Sequence, residues 1–282
     1  MNRWIYTIAL GLVGSGLIWA GSAEDSFKEK KLDDFSDTAM SDWGDLALGI
    51  SHLKWKHGET EHFIIHFFRN GEKIARRCEV FYTEIKEFFG NRPDLRSAQK
   101  SQVFAFHDGA DWKQFTGKIT LEWAGGVTRG DEFFYLPVNE EGRFDNKGKV
   151  QAHEMTHLIF NRFFRGHPPL WLNEGIAEYF GQRKTTTLSQ FRQQMAAIPP
   201  YHLGQLFQAE QYPDRPEQIQ AFYAEAAIVI DFLTRTTERA AKLPKFVDAL
   251  IATNDIAVAV QLYGYKDFSE FEVAYKNYRR HF

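Results

Sequence analysis

Two histidines four residues apart, in VQAHEMTHLIFNRFF (150–164), precede RGHPP (165–169) and then LWLNEGIAEYFGQR (170–183). Both flanking runs have a helical period. The two prolines between them cannot continue a helix, because proline lacks the N–H and its ring clashes with the preceding turn. The sequence therefore predicts two successive helices joined by a short connection, which makes them neighbours close to antiparallel. Any fold for this chain has to be built around that pair.

On the first helix His153 and His157 project from one face about one turn apart. Two such imidazoles can reach one Zn²⁺ at about 2.0–2.1 Å. Glu154 is displaced from that face and can meet a water instead of the metal, the H-E-x-x-H arrangement in which the glutamate is a general base. Five letters with three fixed also arise by chance, and helical histidine pairs can be plain surface residues. The second helix carries Asn173 and Glu174 in its early turns, so Glu174 can point at the histidine pair as a third ligand and leave the fourth position for water. Glu178 lies one turn further on the same face, where a ligating histidine would need an acceptor for its other N–H. Asn173 is a second candidate for such a supporting contact. Two imidazoles and one carboxylate suit a single zinc ion.

HEMTH followed by WLNEG and AEY resembles the gluzincin metallopeptidases: thermolysin, the zinc aminopeptidases and the bacterial peptidase MA-like families. The resemblance spans about residues 55–282 and is concentrated at 150–180. It implies a zincin-like catalytic domain, His153, His157 and Glu174 as zinc ligands, and Glu154 as catalytic base. It also implies a peptide or protein substrate. AFYAEAAIVIDFL (221–233) is similar to the aminopeptidase helix that begins Y-x-x-G. By that likeness Tyr223 would donate to the oxyanion, although Tyr223 can equally cap an amphipathic core helix. Gly125 and Gly126 fall where gluzincins carry a strand that lines the cleft and pairs with substrate, and they are equally suited to a plain turn. The chain departs from the family in three ways. Sixteen residues separate His157 from Glu174, fewer than in thermolysin; Ala226 stands for the glycine; and the G-A-M-E-N motif that grips a substrate's amine is absent.

The remaining sequence predicts an α+β fold. EHFIIHFF (61–68), QVFAFH (102–107) and part of AGGVTRGDEFFYLPV (124–138) read as strands. EKIARRCEVFYTEIKEFF (72–89) reads as a helix that follows an Asn70-Gly71 turn and ends at Gly90. Residues 51–147 are thus an α/β part with a small mixed sheet, and 148–282 a mainly helical part. Residues 24–50 are polar, acidic and weakly patterned, as in a linker or arm. Before them, MNR and the apolar run 4–20, ending in GSA at Ala23, read as a signal peptide or an uncleaved signal anchor. Either implies an exported chain, periplasmic or extracellular, that touches the membrane only through that segment.

A net charge of −3 argues against a nucleic-acid partner. Cys78, the single cysteine, allows no intrachain disulfide and falls on the apolar face of its helix as a core residue. His62 and His66 alternate with apolar residues and read as the solvent face of a strand, where with His52 and His57 they could form a surface metal patch. His167 is a loop histidine within reach of a substrate. Two other functions fit the ligand set: a zinc-stabilised surface scaffold with little turnover, and a zinc amidase acting on cell-wall peptides.

Overall fold

A computed structural model describes residues 27–35, 39–50, 54–119, 125–138 and 142–282. The first half contains β1 (Lys28–Lys30), α1 (Asp42–Leu48), β2 (Lys56–Glu59), β3 (Phe63–Phe67), α2 (Gly71–Phe88), β4 (Ser101–Ala105), α3 (Gly109–Lys118), β5 (Gly126–Arg129) and β6 (Glu132–Tyr135). The second half is helical: α4 (Lys149–Phe163), α5 (Leu170–Thr185), α6 (Leu188–Ala196), α7 (Leu203–Gln208), α8 (Pro216–Thr234), α9 (Thr237–Ala240), α10 (Leu243–Thr253), α11 (Ile256–Ala259) and α12 (Phe268–Arg280). The architecture is mixed α+β, as the patterning predicts.

One sheet runs β1-β2-β3-β4-β6-β5, with β3, β4 and β6 parallel and the outer pairs antiparallel. Every residue of β3, β4 and β6 is buried, because both faces of the central sheet are covered. The two-residue period sorts them. Phe63, Ile65, Val103 and Phe133 enter the large core beneath α2 and α4, whereas Phe104 and Phe134 join Ala47, Trp112 and Phe115 beneath α1 and α3. The large core continues without a break into α5, α8, α10 and α12, so the sheet and the helical part share one apolar interior. Asn70 enters α2 at φ 59°, and Gly90 leaves it at φ 76°, the left-handed exit expected from the sequence. Cys78 is fully buried, as expected, and burial pushes its thiol well up.

Two expectations are corrected. The described part of the 24–50 segment is not a linker. Its β1 pairs with β2, and Ser41 donates to the buried Glu132 through both its N–H and its hydroxyl. Asp42 and Trp43 hold Arg129 of β5. A KEK edge strand is secured by its backbone ladder, so it carries no hydrophobic signature. The apolar run 4–20, read above as a signal peptide or anchor, and His52 lie outside the described residues. Among the described residues no helix is long and apolar enough to cross a membrane.

Second, His62 and His66 do not form a solvent face. His66 is fully buried and stacked on Phe104 at 4.4 Å, with Nδ1 2.8 Å from His57 Nδ1 and Nε2 2.9 Å from Gln102 Oε1. His62 stacks on Tyr82 and places Nδ1 2.6 Å from Glu79 Oε2. The covering elements α1 and α3 turn a polar-looking face into a second interior. Burial, opposed by the Gln102 contact, pushes the His66 pKa down to about 3. Below pH ~6.5 the unfolded chain therefore binds a proton here that the folded chain refuses. Stability should be complete above that pH and fall by about 1.4 kcal/mol per unit on the way down. Urea midpoints at pH 6.5 and 4.5 measure this; His66→Asn should flatten the slope, and an equally steep slope in the variant would refute the assignment.

In the helical part α8 is apolar nearly all round and serves as the axis of the bundle. Helix α5 lies between α8 and α4 at close range. A Cβ on Gly175 would stand 2.8 Å from the Ala226 carbonyl oxygen, and one on Gly181 would stand 3.2 Å from that of Lys149. These two glycines set how near α5 comes to its neighbours.

Candidate metal centre

Helix α4 presents His153 and His157 one turn apart, with their Nε2 atoms 3.2 Å from each other. The helix stops at Phe164, which is extended, and α5 restarts after Pro169. The short return packs α5 against α4 and delivers Glu174 to the pair. Glu174 Oε2 lies 3.4 Å from His153 Nε2 and 3.6 Å from His157 Nε2. Three atoms at these separations have a common centre about 2.0 Å from each, the bond length zinc forms with imidazole and carboxylate. The donor set fits the ion.

The electrostatics point the same way. Glu174 is 3% exposed. Burial pushes its pKa up, yet His157 and His153 outweigh it and hold the carboxyl far below the usual range. Burial pushes His153 down, but Glu174, Glu178 and Glu154 overcome it and raise the imidazole to about 10. His157 is raised by the same kind of balance, with Glu174 the main opponent of burial. A buried carboxylate that draws protons onto two imidazoles is a cluster for which a cation competes.

Surrounding groups hold these residues in place. Glu178 Oε2 stands 3.5 Å from His153 Nδ1, and its Oε1 accepts from Gln182 at 2.7 Å with Lys149 Nζ at 3.4 Å. Glu178 therefore backs His153, the position its spacing suggests. His157 Nδ1 is buried with no hydrogen-bond partner among the described residues. Asn173 lines the cleft, and no side-chain hydrogen bond joins it to the three ligand groups among the described residues.

Glu154 points from α4 toward β5, the edge strand. Thr128 Oγ1 lies 2.8 Å from Glu154 Oε2 and 3.1 Å from its main-chain oxygen. A Cβ on Gly126 would fall 2.6 Å from Glu154 Cγ, so the close approach made by this glycine is to Glu154. Gly125 has only ordinary clearance, 3.5 Å from Val150. Tyr223 faces the centre with its ring 6.2 Å from that of His153, and it stacks at 6.0 Å on Tyr212. All of these line one cleft of about 1020 Å³, which also reaches His167.

Sequence reasoning missed Thr128 and Tyr212. Tyr212 donates its hydroxyl to Glu174 Oε1 at 2.7 Å from the segment between α7 and α8. Neither residue sits in a run whose spacing relates it to α4 or α5. A second His–Asp–Asp group, His107, Asp108 and Asp111, was likewise not singled out. There Asp108 caps α3 through the N–H groups of Ala110 and Asp111. No protein-family model matches this chain, and no curated protein matches it.

Proposed function

We propose that the protein is a zinc-dependent peptidase of the gluzincin type with a zincin-like catalytic domain. The observation that carries this is the convergence of His153, His157 and Glu174 on one point, with the non-ligating Glu154 beside them in an open cleft. A purely structural site would have no use for that extra carboxylate. Zinc, when bound, lowers the pKa of a water from 15.7 to about 7 and polarises the scissile carbonyl.

Glu154 accepts the proton of the attacking water and passes it to the leaving amine. Its carboxylate is steered by Thr128 on one side and seated against Gly126. Tyr223 donates its phenol to the oxygen that gains charge. Burial first, and then Glu174 and Tyr212, push the Tyr223 pKa far up, so this group keeps its proton and acts as a donor.

Strand β5 supplies the binding edge. Leu136 N–H donates to Gly125 O at 3.3 Å, so the antiparallel alternation pairs Val127 and Arg129 with β6. Gly126 and Thr128 then turn their N–H and C=O groups to the outer edge beside Glu154, where an extended peptide could add as a strand. Export rests on the cationic start and the apolar run 4–20.

The test is metal analysis of the purified chain together with cleavage of an unstructured protein. One zinc per chain is expected, with activity abolished by a chelator and restored by zinc. Cleavage that survives complete zinc removal would overturn the proposal, and a zinc-loaded chain that cuts nothing would favour the scaffold function. Gly126→Ala gives a finer check. The added methyl forces Glu154 aside while the ligands stay put, so kcat should fall about 10²-fold, the scale of a 1 Å misplacement, with zinc content unchanged.

A further inference from the structure

We propose that Tyr212 is a positioning residue for the metal centre, one that holds Glu174 to ligation through a single oxygen. The inference rests on the zinc reading above. Glu174 divides its carboxylate: Oε2 faces both imidazoles, and Oε1 accepts the Tyr212 hydroxyl at 2.7 Å. A carboxylate with one oxygen engaged by a phenol offers only the other to a cation. Were Oε1 free, both oxygens could grip the ion and occupy the position that water needs.

The phenol is itself held. Its ring lies edge-on to Phe222 at 6.3 Å and stacks on Tyr223 at 6.0 Å, so α8 supports Tyr212 as it supports Tyr223. The two tyrosines then divide the work. Tyr212 orients a ligand from behind, as Glu178 does for His153, whereas Tyr223 faces the reacting atoms. Tyr212 comes from a connecting segment, so retention of the metal depends on how the α7–α8 connection is folded as well as on the two site helices.

The experiment compares the wild type, Tyr212→Phe and Tyr223→Phe as full chains. Zinc affinity is measured by competition with a chromophoric chelator, and coordination by the visible spectrum of the cobalt(II)-substituted protein. Tyr212→Phe should bind zinc roughly 10–100-fold more weakly, the usual cost of an outer partner. Its cobalt bands should weaken as the coordination number rises. Tyr223→Phe should keep the wild-type affinity and spectrum while losing turnover. Phenylalanine preserves the ring packing and removes one hydrogen bond to a buried carboxylate, so metal-free Tyr212→Phe should stay cooperatively folded and melt modestly below the wild type. Wild-type affinity and spectrum in Tyr212→Phe would overturn the inference, as would equal losses in both variants, which would reduce the pair to packing. If instead Glu174→Gln binds zinc as tightly as the wild type, the zinc reading falls and this inference falls with it.

Discussion

Glu154→Gln should lower kcat for peptide hydrolysis by about 10³-fold while the protein retains one zinc per chain. Proton transfer by a placed side chain contributes roughly 10²–10⁴ to rate, and Glu154 is the only carboxylate on the described cleft wall that touches neither imidazole. Glutamine keeps the shape and can still accept from Thr128 through its amide oxygen. It cannot take up a proton at neutral pH. The variant therefore separates chemistry from metal retention, and steady-state kinetics beside metal analysis reads both. Undiminished cleavage in a zinc-loaded variant would remove Glu154 from the mechanism.

Glu174→Gln should have the opposite signature, with stoichiometric zinc lost and activity lost as a consequence. The substitution removes the buried anion that balances two partly buried imidazoles, and it leaves a neutral amide oxygen where the carboxylate faced them. The fall in affinity should exceed the roughly 10–100-fold cost of losing an outer partner. Proton release adds a second measurement. In the metal-free wild type His153 is raised to about 10, against its own burial, by Glu174 and Glu178. At pH 7 it is therefore protonated, and zinc uptake must expel that proton. Calorimetry in buffers of different ionisation enthalpy should show this release, and wild-type affinity should strengthen as pH rises toward 10. Wild-type zinc content in the variant would dismiss Glu174 as a ligand.

The shared apolar interior explains how a site assembled from two helices can be stiff. Arg162 of α4 is fully buried and donates to Asp94, Ser101 and the carbonyls of Arg96 and Gln99, which pins the 91–100 segment beneath the helix. On the far side Glu225 and Asp231 of α8 accept from Tyr275 and Tyr278 of α12. Both groups are buried charges with satisfied partners, the only economical way to place them inside a core.

What could be known in advance differs residue by residue. His153, His157, Glu174 and Glu178 were legible because a helix fixes the relative direction of side chains three and four residues apart, and the proline break fixed which two helices would meet. Cys78 and the exit at Gly90 were legible for the same local reason. His66 was misjudged because alternation marks a strand but does not reveal whether the second face is covered. Residues 28–30 and 42–48 were misjudged because a short charged edge strand and a helix of about two turns carry little periodic signal.

The sequence by itself determined which two histidines and which glutamate converge, the carboxylate beside them and the α+β division, since these depend on the periodic geometry of two helices and the proline break that joins them. Only the tertiary structure decided that Thr128 meets Glu154, that Gly126 makes room for it and that Tyr212 holds Glu174. Those contacts join groups 26 to 38 residues apart on different elements. Their distances are set by how the sheet edge, the α7–α8 connection and the α4–α5 pair pack on one core, and no local spacing encodes that.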